Sequence, residues 1–525
     1  MDNQLNSLPL QQACESAPKI QEQQVSEEQK EGAARFKMLS AGCFFYALLY
    51  TFCLYQNKSG ITYPFLIGGT LYFLCYYFKR FGATAAKDKR LLTGALILTG
   101  ILNCMTDSGV LIFFNRLLIV FLLGVLILQS YHASICWKLG TWGKALMHLL
   151  FGSISQIYRP FEDGYWNYKL AERRKEITPE QKERKRKLTY GVLGVGLSIP
   201  VLFVLMILLG SADALFYEMI CNVWDTLFSW SLPEFLTSGD LGGILWMLAC
   251  SFVGMYGLLT YSRKRSYIEN AVKTTAIEWD SFIAIAFLSL ITVVYCLFCG
   301  IQIFGLFLGW MELPEGYTYA SYARQGFFQL LFVCIFNICL VLFVTSFFQK
   351  NKWLQALLTL ISACTYIMVA SSAYRMLLYI NTYQLTFLRV FVLWALFMIA
   401  VLLVGVMRYI WCQEFGLFRF MLVTVVIGYL AFATVHPDYW IAKYNISQFE
   451  QGEETDLWYL TRNLSTDAAP AVWELLTEEY PQEKKAQVAG ALIKYEERIE
   501  EETSDMNIRS WNLSRGLAER LWIMD

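Results

Sequence analysis

Histidine is nearly absent: the 525 residues hold three, His132, His148 and His436, far apart. That spacing excludes a zinc site of the HExxH kind, which needs two histidines one turn apart on a single helix face. No glycine-rich phosphate loop and no GxSxG turn occur, nor any basic–aromatic pattern of the sort that grips nucleic acid. With no compact catalytic set, the chain is expected not to be an enzyme, to hold no cofactor and to bind no nucleic acid. Cysteine is missing beyond Cys412, so no disulfide framework staples the C-terminal region. An apolar opening segment is missing too. Residues 1–37 are polar and rich in Gln and Glu, which predicts no cleaved signal, a disordered tail and an uncleaved first span from Met38.

What the chain has in quantity is apolar sequence. Hydrophobic residues make up 56% and aromatics 16%, above the roughly 45–50% apolar usage of soluble domains. The run at 190–210, YGVLGVGLSIPVLFVLMILLG, exceeds the roughly 18 residues needed to cross a hydrocarbon core. Comparable runs fall at 38–55, 61–78, 91–106, 110–131, 241–261, 281–308, 326–348, 354–374, 386–407 and 416–435. The expected fold is all-α, a polytopic transmembrane helical bundle of about eleven spans. Segment 91–131 reads either as two full spans or as a re-entrant hairpin.

The formal net charge is zero, but the charges are segregated. Lys79, Arg80, Lys87, Lys89 and Arg90, the basic run 169–187, Arg263, Lys264, Arg265, Lys273, Lys350 and Lys352 fall on one side if each run crosses once. The opposite loops are poor in basic residues, and 211–240 carries only acids, among them Asp213, Glu218 and Asp225. By the positive-inside rule the N-terminus is cytoplasmic and the C-terminus extracytoplasmic. The division that follows is a 1–37 tail, spans 1–4 over 38–132, a basic cytoplasmic loop over 133–189, spans 5–11 over 190–435, and an acidic extracytoplasmic module over 436–525. In the loop, 139–158 has the helical spacing of a segment lying flat on a membrane, and 169–187 is suited to anionic lipid headgroups. The module carries 18 acidic against 9 basic residues from 435 onward. Its helical segments are 456–465, 467–480 and 482–502, with Asp467 as the cap of the second and a short amphipathic piece at 509–525.

Polar groups in or beside spans are costly and mark candidate sites. The densest stretch is 374–390, where Arg375, Tyr379 and Tyr383 stand four apart on one helical face and Arg389 enters the next span. It reads as an outward-facing cationic pocket for an anionic group such as a lipid phosphate, or as an internally paired Arg375 with interfacial tyrosines. In the stretch 312–331, which connects spans seven and eight on the outside, Tyr322 and Arg324 lead into a new helix, and Glu312 or Glu315 neutralises one of the arginines if the loop folds towards 374–390. Gln302 and Asn337 suit helix-to-helix hydrogen bonding. Cys296 and Cys299 form a CxxC inside an apolar run, where thiolates are costly.

Segments 313–331, 374–390 and 436-HPDYWIAKYNI-446, with 459-YLTRNLSTDAAPAVWELL-476 and 511-WNLSR-515, resemble a bacterial family. It is catalogued as a domain of unknown function of the DUF4173/DUF4153 kind. The resemblance is most specific over 300–525. It implies an integral membrane protein of a Gram-positive-type bacterium with no established activity and no catalytic residues. The positions it brings forward are Tyr322, Arg324, Arg375, Tyr379, Tyr383, Thr386, Arg389, Pro437, Asp438 and Asn445. Gln384 departs from the glycine expected in the Tyr-x-Leu-Thr segment. The functional expectation is a non-enzymatic sensing, scaffolding or regulatory module of the cell membrane, with an envelope protein as partner of 436–525. The alternative is a transporter or lipid-handling protein that binds an anionic group near Arg375 and Arg389.

Overall fold

The computed structural model describes residues 26–57, 59–81, 88–131, 139–173, 240–263, 279–307, 319–452, 456–477, 480–504 and 506–522. The expected span at 190–210, the acidic loop 211–239, Glu312 and Glu315, residues 1–25 and the basic run beyond 173 lie outside them. Among the described residues the chain is all-α, without a named strand.

In chain order the helices are α1 (Glu27–Leu54), α2 (Thr62–Arg80), α3 (Lys89–Met105), α4 (Gly109–Tyr131), α5 (Leu139–Ile154), α6 (Arg159–Arg173), α7 (Asp240–Ser262) and α8 (Ser281–Ile301). A π-turn at Gln302–Phe307 extends α8. There follow α9 (Tyr319–Phe347), α10 (Lys352–Tyr383), α11 (Phe387–Trp411), α12 (Leu417–Thr434) and α13 (Pro437–Glu450). The C-terminal helices are α14 (Leu457–Arg462), α15 (Ala469–Thr477), α16 (Gln482–Ser504) and α17 (Leu513–Trp522). Ten of these helices coincide with expected spans, and eight are long and apolar enough to cross a membrane. α3, with 17 residues, reaches only about 25 Å at 1.5 Å per residue.

Contacts divide the chain into two units, residues 1–42 with 158–234 and residues 43–157 with 235–525. In the first, α1 begins at Glu27 rather than at Met38, which corrects the expectation of a disordered tail for 27–37. The reason is a specific docking partner. Arg35 forms a two-pronged ion pair with Asp163 of α6, Nε to Oδ2 at 2.7 Å and Nη2 to Oδ1 at 2.7 Å. Asp163 is buried, and so is Ala33, two residues before Arg35. A polar composition folds here because its charges are matched.

In the second unit the polarity of an ordinary globule is inverted. Phe282, Leu290 and Phe332 are 73%, 73% and 70% exposed on the bundle's outside, where a water-soluble protein does not keep contiguous apolar surface. Inside, Thr70, Thr99, Ser130, Ser362 and Thr365 each return their hydroxyl to the carbonyl four residues back, which satisfies them without water. Asn337 joins three helices: its Oδ1 accepts from Tyr295 at 2.7 Å and its Nδ2 donates to Thr365 at 3.0 Å. Asp280 and Asn351 cap α8 and α10 by accepting from Phe282 and Trp353 backbone N–H groups, each at 2.9 Å. At Gly428 a Cβ would meet Met398 Sδ at 2.4 Å, so this glycine lets α11 and α12 approach closely.

The helices of this unit have two distinct ends. At one, Arg419 pairs with Asp88 at 2.9 Å, Arg263 lies over Phe81, and Gln355 donates to the carbonyl of Ile410. α5 packs at that end, with Trp142 stacked on Phe418 at 4.2 Å and Gly152 against Tyr261. At the other end lie the α1–α2 loop, the α3–α4 turn and the α10–α11 loop, and helices α13–α17 pack onto them. These five helices have their own core, centred on Leu460, Val472, Tyr495, Ile499 and Trp522, and Leu385, Phe387 and Val390 of the bundle lean against it.

Candidate functional site

The seam between the C-terminal helices and the bundle gathers most of the buried charge in this unit. Thr106, Asp107 and Ser108 form the short turn between α3 and α4. Thr106 Oγ1 donates to Asp467 Oδ2 at 2.5 Å, and the Asp107 backbone N–H donates to Asp467 Oδ1 at 2.9 Å. His436 Nδ1 lies 3.2 Å from the same carboxylate. Asp107 is in turn paired with Arg515 at 2.6 Å and accepts from Thr466 at 3.2 Å. Asn512 donates to the Thr106 carbonyl at 2.8 Å. Asp438 Oδ2 receives both the hydroxyl and the backbone N–H of Ser465, at 2.6 and 3.2 Å.

Burial pushes the Asp438 carboxyl up to about 6, against the Ser465 hydrogen bonds that favour its charged form. Burial also raises Asp107, the Arg515 guanidinium opposing it. Burial acts upward on Asp467 too, but hydrogen bonds from His436, Ser514, Thr106 and the Asp107 N–H outweigh it, and this carboxylate is held below its ordinary value. The hydrogen bond to Asp467 raises His436. The sequence reading expected Asp467 to cap a helix. It lies instead in a 3-10 turn, Thr466–Ala468, and its carboxylate points to the α3–α4 turn, because that turn offers a backbone donor and a hydroxyl out of water.

Two further seams complete the docking. The Ile61 N–H donates to the Trp511 carbonyl at 2.9 Å, and a Cβ on Gly60 would stand 2.5 Å from the Arg509 carbonyl, so only glycine admits that backbone. Asn445 closes a two-point clamp on Leu385, accepting its N–H at 3.0 Å and donating to its carbonyl at 2.9 Å. Tyr459 accepts the Phe387 N–H at 2.9 Å. Asp438 and Asn445, picked out from sequence, therefore sit on this seam, and Pro437 opens α13 at a position where its missing N–H costs nothing. Asp107, His436, Asp467, Asn512 and Arg515 escaped the sequence reading as site residues. Asp107 is a lone acid between two apolar runs, a signal that charge burial could have flagged.

The arginine–tyrosine stretch separates into two places. Arg375 is buried, and its Nη2 donates to Gln302 Oε1 at 3.1 Å beside Ser371, which donates to the same oxygen at 2.6 Å. Arg389 lies elsewhere, with Cζ 4.3 Å from the ring centre of Tyr379 and Nη1 donating to the Tyr383 carbonyl at 2.5 Å and to that of Gln384. Tyr379, Thr386 and Arg389 line a cavity of about 240 Å³; Arg375 and Tyr383 do not. Tyr322 and Arg324 fall in the first turns of α9, and their side chains lie outside the described residues. Cys299 donates to the Cys364 carbonyl, and both residues of the CxxC are free thiols. Among the described residues no cluster of three or more His, Cys, Asp or Glu is placed to hold a metal ion.

Gln384 has φ of 63° and ψ of −175°, a region open essentially to glycine alone. The glycine expected there from sequence thus meets a real backbone demand. Gln384→Gly should stabilise the protein by about 1–2 kcal/mol, read as a higher Tm in detergent; an unchanged or lower Tm would contradict the strain.

Fold and seam together define a polytopic helical membrane protein with a helical module docked on one end of its bundle. The chain matches the family described as Domain of unknown function (DUF4153) over residues 93–475, and it belongs to that family. Of the two labels raised from sequence, DUF4153 is the one matched. The match starts well before residue 300 and stops short of the 511–515 segment. No curated protein and no solved structure matches the chain.

Proposed function

We propose that this protein is a non-enzymatic sensing or regulatory module of the cell membrane, in which the C-terminal helices receive a protein partner and the bundle reads their docking. The observation that carries this is the buried charged seam. A module with a separate hydrophobic core is held to the bundle by ionisable groups, so its attachment responds to conditions and to binding as a purely apolar joint would not. The basic loops argue for an N-terminus in the cytoplasm and the module outside it. In keeping with that, the module packs on the α1–α2, α3–α4 and α10–α11 connections, all on the basic-poor side. The positive charge of run 169–187 attracts anionic headgroups of the inner surface in this reading.

The partner surface we favour is a groove of about 430 Å³ between α14 and α16, lined by Trp458, Thr461, Gln487, Gly490 and Lys494. Trp458 is half exposed, with Arg462 over its ring, the residue types that dominate binding energy at interfaces. A photo-crosslinking residue at Gln487, activated in living cells, should yield one discrete envelope-protein adduct. Absence of any adduct there, with the variant present in the membrane, would contradict the reading.

A further inference from the structure

The cavity beside Arg389 has the features of a lipid site, and it lies where a headgroup would be. Its apolar walls come from Phe328, Met376 and Leu388, and its polar side from Tyr379, Thr386 and Arg389. Among the described residues no carboxylate pairs with Arg389. The hydrogen bonds of its guanidinium run from Nη1 to two carbonyls and its Cζ lies over the Tyr379 ring, contacts that fix the group in place and carry no formal negative charge to neutralise it. Thr386 is the N-cap of α11, yet its side chain makes no capping bond, so a hydroxyl and the positive end of a 25-residue helix stand at the same spot as the guanidinium. The arginine enters one turn from the start of a membrane-spanning helix, at the boundary between hydrocarbon and water. Phe328, in the cavity wall, and Phe332 one turn further along α9 are 53% and 70% exposed, an apolar track that leads from the cavity along the outside of a spanning helix.

We propose that this cavity seats the phosphate of an anionic membrane lipid, bound by Arg389 and the Thr386 hydroxyl, with one acyl chain along Phe328 and Phe332. A soluble anion would use the cation and leave the track empty. A zwitterionic lipid would fill the track but bring its own cation against Arg389. The site stands apart from the sensing reading, since a lipid can occupy it whether or not the C-terminal module signals.

The test is native mass spectrometry of the full chain released from detergent micelles, with phosphatidylglycerol or phosphatidylcholine added at equal concentration. Phosphatidylglycerol should be retained in preference. Arg389→Gln should lower its retention about tenfold, as expected for loss of a charge-assisted hydrogen bond, and Arg389→Lys should recover part of it. Leu388→Trp, which fills the cavity and keeps the arginine, should give a similar loss and decides the matter if Arg389→Gln fails to fold. Equal retention of the two lipids, or unchanged phosphatidylglycerol retention in Leu388→Trp, would overturn the proposal. Complete displacement of the lipid by millimolar inorganic phosphate would overturn it in favour of a soluble anion. Hydrogen exchange of the Ile61 amide in Leu388→Trp should match the parent protein, which separates a failure of this site from a failure of module docking.

Discussion

Asp467→Ala releases the C-terminal helices from the bundle while leaving their own core folded. The carboxylate accepts from Thr106, from the Asp107 backbone and from His436 at once, and Asp467 is buried. Removing it strands a backbone N–H, a hydroxyl and an imidazole out of water. Breaking a buried charged network by deleting one member costs about 3–5 kcal/mol. Two amides report the event directly, because Ile61 donates to Trp511 and Leu385 donates to Asn445 only while the module is docked. Their hydrogen-exchange protection should fall by about a hundredfold or more, given that 1.4 kcal/mol is a factor of ten. Amides in the middle of α16, around the buried Tyr495 and Ile499, should keep theirs. Unchanged protection at Ile61 and Leu385 would show that the seam does not hold the module.

Acidification from pH 8 to 5 tightens the same docking, and Asp438→Asn removes much of that response. Asp438 titrates near 6 in the folded protein against an ordinary value of 3.8. A carboxyl raised on folding favours the folded state when protonated, so its contribution is full below about 4 and is lost as pH rises through 6. Against a carboxyl wholly returned to water that difference corresponds to about 3 kcal/mol, and docking carries the part of it that burial against the bundle adds. Asp107, raised by burial, acts in the same direction. His436, raised by Asp467, stabilises the docked form while protonated and loses that contribution as pH climbs past its raised value. Asp467 opposes them, because a lowered carboxylate stabilises above its unfolded value and fails only in stronger acid.

In Asp438→Asn the side-chain oxygen can still accept from Ser465, and the charge is gone. Protection of the Ile61 amide at pH 7.5 should rise, by up to about 3 kcal/mol, and its pH dependence between 4 and 6 should flatten. The residual slope above 6.5, owed to His436, should persist. A variant as pH-sensitive as the parent between 4 and 6 would remove Asp438 from the account.

The all-α bundle was legible in the sequence because burial in lipid writes itself as long apolar runs, and ten of the expected runs fall on helices, though α1, α9 and α10 extend well past the apolar bounds. Docking wrote no such signal. The extension of α1 back to Glu27 depends on Arg35 meeting Asp163, 128 positions away, and a local window reads that polar segment as disordered. The charged seam is similarly hidden, since Asp107, His436, Asp467 and Arg515 are each unremarkable in their own surroundings. The segments carrying the family resemblance did contain four of its members, His436, Asp438, Asp467 and Arg515, without indicating that they meet. The arginine–tyrosine stretch was found for sound reasons, the expense of charge in a span, but helical spacing could not tell that Arg375 turns inward to Gln302 while Arg389 faces a cavity. At Gln384 the departure from glycine marked a backbone demand that only the dihedral angles made plain.

Sidedness of the two bundle ends is the most direct test of the whole account. In a cysteine-depleted background, Lys494→Cys on α16 and Lys350→Cys between α9 and α10 would be treated on intact cells with a membrane-impermeant maleimide. The account predicts that position 494 labels at once and that position 350 labels only after the membrane is opened. Labelling of 350 but not 494 would invert the orientation, and labelling of both from outside would contradict a bundle that threads the bilayer between them.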